Sequence, residues 1–261
     1  MEFLKASRRK SLFSELLYIA LNIALAVALF ALVATGSVAL AVVLVLISKW
    51  RILAVRIRYW WANVLANIVD ITVSMGVVSL LYLAGTSEQL GLYLQVVITV
   101  LYALWLIVLK PRSSKRWITV QAATGLTVGS WSVFAAAHLV PTVVVVVLMY
   151  VIAYGAARHI LVSREESQPS LLAMVFGLVI AEMSWVMYHW TVAYGADVFG
   201  DFKFPQGTIL IALVGFLALR LYTLHSDGRS LRSADAILPV VFTIVLMIVL
   251  TVVFHAGAGI I

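Results

Sequence analysis

The sequence predicts an all-α fold, a polytopic transmembrane helical bundle of about nine spans with its N-terminus inside and its C-terminus outside. The first of three observations is composition: 64% of residues are hydrophobic, 11% are charged, and the mean hydropathy is +1.11. Soluble domains are about 45–50% apolar and about 25% charged, so this chain has too much apolar surface to bury in water. The other two observations are the lengths of the apolar segments and the positions of the basic residues.

Nine segments are long and apolar enough to be candidate spans. Crossing a hydrocarbon core about 30 Å thick takes about 20 largely apolar residues. The candidates are 15–34, 37–55, 60–84, 89–110, 117–138, 140–162, 169–194, 206–224 and 235–257. Prolines lie at the edges of these segments in every case but one, which is where helices begin and end.

The basic residues lie at every second connection between these segments. Lys and Arg concentrate in cytoplasmic loops, so the pattern predicts the N-in, C-out orientation. It also explains the net charge of +7 without a nucleic-acid partner, and it predicts contact with anionic lipids on the cytoplasmic face of a plasma membrane. Only Lys203, beside Asp197 and Asp201, is on the opposite side. The residues on the basic side are Lys5, Arg8, Arg9, Lys10, Lys49, Arg51, Arg56, Arg58, Lys110, Arg112, Lys115, Arg116, Arg158, Arg164, Arg220, Arg229 and Arg232.

Residues 1–261 are predicted to form a single integral-membrane domain, because no polar stretch is long enough to form a soluble core. Residues 1–58 allow a second interpretation. Only Val38–Ser48 is cleanly apolar in the second segment, and residues 51–61 alternate basic and apolar side chains as an interfacial helix does. These residues therefore form either two spans, with Lys49 and Arg51 snorkelling, or a peripheral hairpin followed by a basic interfacial helix.

Asp70 is the centre of the most specific polar feature in the chain. Asn63, Asn67, Asp70 and Ser74 follow the i, i+4, i+7, i+11 spacing of one helix face. Because ionisable groups in hydrocarbon are costly, this face must point into protein or water. It predicts either one wall of a polar pathway or a structural hydrogen-bond network between helices.

Glu182 is the second acid that the sequence places near the middle of a span. Glu182, Trp185 and His189 share one face at i, i+3, i+7 spacing. The acid and the imidazole are suited to a proton route; alternatively, Glu182 pairs with a neighbouring helix while the aromatic residues anchor the outer interface. We expect Asp70 and Glu182 to lie at similar depth and to line one polar interior.

Other residues give weaker signals. Arg220 either snorkels or is the ion partner of Asp70. His138, His189 and His255 fall toward the outer ends of their spans, but no pair has the spacing of two metal ligands on one helix, so no metal site is predicted. Gly125 and Gly129 form a Gly-x-x-x-Gly spacing, which is typical of close helix packing.

These features favour a transporter or permease for a small solute or a proton-coupled substrate, with a pathway around Asp70 and Glu182. Two alternatives stay open. One is a lipid-binding protein or enzyme at the outer leaflet, near His138, His189 and the 194–206 loop. The other is a non-catalytic membrane subunit or assembly factor that binds other membrane proteins or a second copy of itself. The absence of cysteine and of nucleotide-binding and hydrolase motifs favours a protein that is not an enzyme, and the sequence identifies no cofactor.

Overall fold

The structure, a computed structural model, describes residues 2–87, 90–190, 192–195, 202–230, 232–254 and 259–260, with side chains between Ser14 and Phe254. The helices of these ranges are α1 (Glu2–Ala34), α2 (Val38–Ser48), α3 (Trp60–Ala66), α4 (Ile68–Gly85), α5 (Gly91–Leu104), α6 (Lys115–Ala135), α7 (Thr142–Ser163), α8 (Pro169–His189), α9 (Gln206–Ser226) and α10 (Ala234–Ile248). A π-helical turn extends α5 over Trp105–Leu109 and α10 over Val249–Val253. Three short strands, β1 (Val192–Tyr194), β2 (Phe204–Pro205) and β3 (Gly259–Ile260), pair antiparallel in the order β2-β1-β3.

The all-α prediction is confirmed, and seven of the described helices are long and apolar enough to cross a membrane. These are α1, α4, α5, α7, α8, α9 and α10, with α5 and α10 counted together with their π-helical turns. They indicate an integral membrane protein. The other two predicted spans correspond to α2, which has 11 residues, and to α6, which has 21 residues but many polar ones.

The polarity of α6 follows from its central position. It packs against α4, α7 and α9. Its side chains Gln121, Ser130 and Ser132 are therefore buried against protein, where they find hydrogen-bond partners. A helix surrounded by other helices does not need the uniformly apolar surface of a helix that contacts lipid.

Two predicted segments are wrong in detail. The segment 60–84 is not one helix, because α3 ends at Ala66 and α4 begins at Ile68. The Asn67 side chain donates to the backbone oxygen of Asn63 at 2.9 Å, the kind of local bond that competes with a continuous helix. In the segment 37–55, α2 is only about 16 Å long at 1.5 Å per residue, too short to cross a bilayer alone. The interfacial helix predicted at 51–61 is replaced by two short 3-10 turns, Trp50–Ile52 and Ile57–Tyr59, and the first residues of α3.

The core consists of two clusters that meet at the contact between α4 and α6. One contains side chains of α1, α2, α4 and α5, and the other contains side chains of α6 to α9. The close packing predicted at Gly125 and Gly129 is confirmed. A Cβ atom added to Gly125 would lie 2.9 Å from Val69, and one added to Gly129 would lie 2.7 Å from Thr72. Only glycine allows the two helices to approach this closely.

Side-chain contacts join helix termini at two ends of the bundle. At the end that we call the basic end, Lys49 and Lys110 contact Asp70 at the start of α4, and His159 of α7 contacts Gln121 of α6 at 3.0 Å. Two of the basic residues at alternate connections in the sequence, Lys49 and Lys110, therefore meet at one end of the fold. At the opposite end, Gln206 bonds to Trp190 at 2.6 Å and to the backbone oxygen of Leu250 at 2.7 Å, which joins α8, α9 and α10.

Candidate functional site

Asp70 lies at the centre of a charge cluster at the basic end. Its Oδ2 atom forms one ion pair with the Nζ atom of Lys49 and a second with the Nζ atom of Lys110, the latter at 3.0 Å. The side chains of Asp70 and Lys49 are 12% and 8% exposed, whereas that of Lys110 is 34% exposed. The two-span interpretation of residues 1–58 required Lys49 to snorkel, but its amine turns into the protein toward Asp70.

The ends of three helices place these charges. Asp70 is in the first turn of α4, where the free backbone N–H groups of a helix favour a carboxylate. Lys49 caps the end of α2, and Lys110 follows the π-helical turn that ends α5. Helix C-termini favour cations, so each of the three side chains has the charge that its helix end stabilises.

Uncharged side chains close the cluster on its inner side. The Trp105 Nε1 atom donates to Asp70 Oδ1 at 3.4 Å, and the Ser74 hydroxyl donates to the Asp70 backbone oxygen at 2.7 Å. The Tyr102 hydroxyl in turn donates to Ser74 Oγ at 3.0 Å, and both of these side chains are buried. The cluster is thus a compact hydrogen-bonded network that ties α2, α4 and α5 together.

The predicted polar face of Asn63, Asn67, Asp70 and Ser74 is divided between α3 and α4. All four side chains are partly or fully buried, so the face points into the protein. Asn63 donates to the backbone oxygen of Ile52 at 3.3 Å, and its own backbone oxygen accepts from Asn67. The Asn67 bond is local, and the Asn63 bond joins α3 to the short 3-10 turn Trp50–Ile52.

Glu182, Trp185 and His189 do share one face of α8, but that face is exposed. The expectation that Glu182 and Asp70 lie at one depth and line one interior is wrong. Asp70 is the third residue of α4 and is enclosed by two lysines, whereas Glu182 is the fourteenth residue of α8 and is exposed. The break at Asn67 is the reason, because it moves Asp70 from the middle of a long helix to the start of a shorter one.

The remaining sequence candidates do not join the cluster. Arg220 is exposed on α9, which packs on α6 and α10, and the proposed Arg220–Asp70 pair is replaced by the two lysines. His138 and His189 are exposed, and His255 lies outside the described residues. Asp197 and Asp201 lie outside them as well. Within the described ranges, no three His, Asp or Glu side chains converge as metal ligands would.

A cavity of about 380 Å³ lies between α6, α7, α8 and α9. It exists because α8 packs on α7 and α9 packs on α6, while α8 and α9 make little contact with each other. Small side chains line it where larger ones would fill it. These are Ala122, Ala123, Ala156, Ala157, Ala212, Gly215 and Ala218. The cavity reaches the surface beside Leu172 and Phe216, which are 41% and 48% exposed.

Polar contacts bridge one end of this cavity, at the ends of α7 and α9. The hydroxyl of Tyr222, whose side chain lines the cavity, donates to Glu166 Oε2 at 2.8 Å. This hydrogen bond is the main reason why the pKa of the Glu166 carboxyl is lowered. Arg164 donates through Nη1 to the Thr223 hydroxyl at 3.1 Å, and its guanidinium carbon lies 5.6 Å from the centre of the Tyr222 ring. The short loop between α7 and α8 is thereby held against α9.

Sequence reasoning missed the two lysine partners of Asp70 and the cavity. Lys49 and Lys110 were assigned to the basic side, but their pairing with Asp70 depends on three helix ends meeting. The alanines of α6, α7 and α9 form stretches of small side chains, which in membrane helices usually indicate close packing. Here these small side chains line the cavity instead.

Together these features define a helical integral membrane protein with a closed charge cluster and a separate apolar cavity that is open at the bundle surface. No family model, curated protein or solved structure matches this chain. Its function is therefore inferred from the cavity and its surroundings.

Proposed function

We propose that this protein binds an amphiphile, a molecule with a long apolar chain and an anionic headgroup such as a membrane lipid, in the cavity between α6, α7, α8 and α9. The observation that carries the proposal is the cavity itself, which is apolar, about 380 Å³ in volume and open at the bundle surface. Its volume lies within the range of about 300–1,000 Å³ that is usual for small-molecule sites.

The lining suits an apolar chain and no polar solute. Apart from two threonines and Tyr222, every lining residue is alanine, glycine, leucine, isoleucine or phenylalanine. A polar solute would lose its hydration without gaining hydrogen bonds, which is costly. An acyl chain already dissolved in the bilayer can enter beside Leu172 and Phe216 and gain van der Waals contacts with the cavity walls.

The cationic side chains at one end of the cavity suit an anionic headgroup. Among the described contacts, Arg164 uses one of its five N–H donors, on Thr223, so the others are free to bind a phosphate or carboxylate. Lys115 and Arg116 lie about one turn before Thr119, a lining residue of α6, and they add positive charge at the same end. Glu166 offsets part of this charge, although its carboxylate is engaged by Tyr222.

This geometry favours amphiphile binding over the small-solute permease that the sequence suggested. A proton or solute pathway through Asp70 and Glu182 would require the two side chains to face one interior. Asp70 instead is enclosed by its lysine partners, and Glu182 is exposed on α8. The lipid site also differs from the outer-leaflet alternative, because it lies toward the basic end, which the charge pattern predicts to be cytoplasmic. The plasma membrane is the proposed location.

Photocrosslinking tests whether an apolar chain occupies the cavity. The protein is reconstituted with a fatty acid or phospholipid that carries a diazirine at the end of its chain, and the crosslinked residues are mapped by mass spectrometry. We expect crosslinks concentrated on the walls of the cavity and reduced at least about fivefold by Ala157→Phe, which fills it. The matched control is Ala31→Phe on the exposed face of α1, which should leave the crosslinks unchanged. Crosslinks spread evenly over all exposed helices in the unmodified protein would contradict the proposal.

A second measurement tests the headgroup. Anionic and zwitterionic lipids with identical chains are compared for crosslinking to the cavity in the unmodified protein and in Arg164→Gln. The anionic lipid should be preferred, and Arg164→Gln should remove that preference while chain crosslinking persists. Arg220→Gln is the matched control, because Arg220 is exposed on α9 and does not line the cavity. An unchanged preference in Arg164→Gln would show that Arg164 does not bind the headgroup.

A further inference from the structure

Glu182 is an acid on an exposed and largely apolar helix face. It is the fourteenth of the 21 residues of α8, and no residue within the described ranges forms a hydrogen bond or an ion pair with its side chain. Leu178 and Val186, one turn before and one turn after it, are 55% and 48% exposed. The side chain therefore projects from a helix that is long and apolar enough to span a membrane, at a level where that helix would contact hydrocarbon.

An isolated carboxyl group at this level is costly in lipid, so it needs a partner. Asp70, another acid within a candidate span, shows what such a partner can be in this protein, since it is covered by two lysines. Glu182 has no equivalent within the described fold, because α8 packs on α7 and α9 through its other faces. Its partner must come from outside that fold.

Two aromatic rings beside Glu182 restrict the chemistry of that partner. Trp185 is 57% exposed one turn away, and its ring lies 5.3 Å from the ring of His189 in an edge arrangement. His189 also contacts Tyr188 at 5.2 Å, so the rings support one another. A guanidinium group can form two parallel hydrogen bonds with a carboxylate and can also stack on an indole, which a lysine amine or an amide does less well.

A second copy of this chain in the same orientation does not supply that guanidinium. Of the described arginines and lysines within the candidate spans, Arg220 reaches furthest from the basic end. It lies about 9 Å from that end of α9, whereas Glu182 lies about 20 Å from that end of α8. Among the described residues, no arginine or lysine of a parallel copy thus reaches the level of Glu182, which favours a cation from a different protein.

We propose that Glu182, Trp185 and His189 form a docking face for a transmembrane helix of another membrane protein, which places an arginine at the level of Glu182. The arginine pairs with Glu182 and stacks on Trp185, while Leu178 and Val186 pack against apolar side chains of the same helix. The inference does not depend on the cavity, since this face of α8 is separate from the residues that line it.

A model helix tests this proposal. The protein contains no cysteine, so Gln168→Cys provides a single site for a fluorescent donor at the start of α8. The probes are two polyleucine transmembrane peptides with an acceptor at the corresponding end, one with a single arginine at the level of Glu182 and one with leucine there. Energy transfer is measured in liposomes over a range of peptide-to-lipid ratios. We expect the arginine peptide to associate at least about tenfold more strongly than the leucine peptide.

Variants of the protein decide the interpretation. Glu182→Leu should lower the association of the arginine peptide to that of the leucine peptide, and Trp185→Leu should lower it in part. Glu15→Leu, which removes an exposed acid on α1, should have no effect. The thermal unfolding of each variant in detergent establishes that it is folded. Equal association of the two peptides with the unmodified protein would overturn the proposal. Energy transfer between donor-labelled and acceptor-labelled copies of the protein would also overturn it if Glu182→Leu abolished that transfer, because a second copy would then cover this face.

Discussion

Neutralising Asp70 should destabilise the protein far more than neutralising an exposed acid with a similar ion pair. In Asp70→Asn, the largely buried Lys49 loses its counter-charge and faces Lys110 across the former carboxylate. Removing one partner of a buried ion pair costs about 3–5 kcal/mol, because the other charge stays uncompensated. Since Lys110 is 34% exposed and can turn outward, the expected loss in the free energy of unfolding is at the lower end, about 3 kcal/mol.

The chain contains a matched control for this experiment. Asp235 pairs with Arg229 at 3.0 Å, the same distance as between Asp70 and Lys110. The side chains of Asp235 and Arg229, however, are both more than half exposed. Exposed pairs contribute about 0–1 kcal/mol, so Asp235→Asn should have little effect. The assay is equilibrium unfolding by SDS in mixed micelles, followed by circular dichroism.

A third variant separates the uncompensated charge from the lost hydrogen bonds. Adding Lys49→Met to Asp70→Asn removes the stranded amine and should restore at least about 1 kcal/mol of the loss. A difference of less than about 1 kcal/mol between Asp70→Asn and Asp235→Asn would refute the reasoning, because it would mean that the burial of the cluster has no energetic consequence.

Three further predictions concern single contacts. Glu165 follows the end of α7 and is in the left-handed conformation at φ 61°, and Gly36 occupies the corresponding position after α1. Glu165→Gly should therefore stabilise the protein by about 0.5–1 kcal/mol, and Gly36→Ala should destabilise it by a similar amount, in the same SDS assay. Gln206 is fully buried and bonded to α8 and α10, so Gln206→Leu should lower the free energy of unfolding by about 2 kcal/mol; a loss below about 0.5 kcal/mol would contradict the role given to these bonds. Because the pKa of Glu166 is lowered in the folded protein, its contribution to stability is present above its ordinary pKa and is lost as the pH falls through the folded value. Between about pH 6 and about pH 3, the melting temperature should therefore fall less in Tyr222→Phe than in the unmodified protein. An equal fall in both proteins would argue against the Tyr222–Glu166 bond.

Most of the helices could be predicted from the sequence because local signals determine them. Apolar length, the prolines at segment edges and the Gly-x-x-x-Gly spacing at Gly125 correctly indicated most helices and one close contact. The break at Asn67 was not predicted, because the hydrophobic pattern continues across it. Because of that single error, we expected Asp70 in the middle of a span. It lies instead at a helix end, where the charged ends of α2 and α5 meet it.

The candidate site was harder to predict because it depends on which helix faces meet. In α8, Glu182 lies among apolar residues such as Leu178, Val179 and Val186, so periodicity does not show whether its face contacts lipid or protein. In soluble proteins polar faces turn outward, but a membrane helix can be apolar both where it contacts lipid and where it contacts protein. The alanines that line the cavity, such as Ala157 and Ala212, are the same residue type that is found where two helices pack closely. Only the positions of α8 and α9 show that they border a gap.

The most direct test of the central claim is an experimental density map of the protein in lipid nanodiscs. The account predicts an elongated density in the cavity, continuous with a compact headgroup density within hydrogen-bonding distance of Arg164. A map in which α8 and α9 close against each other, with the alanines of α6 and α9 in direct contact with α8 and no space for a chain, would contradict it.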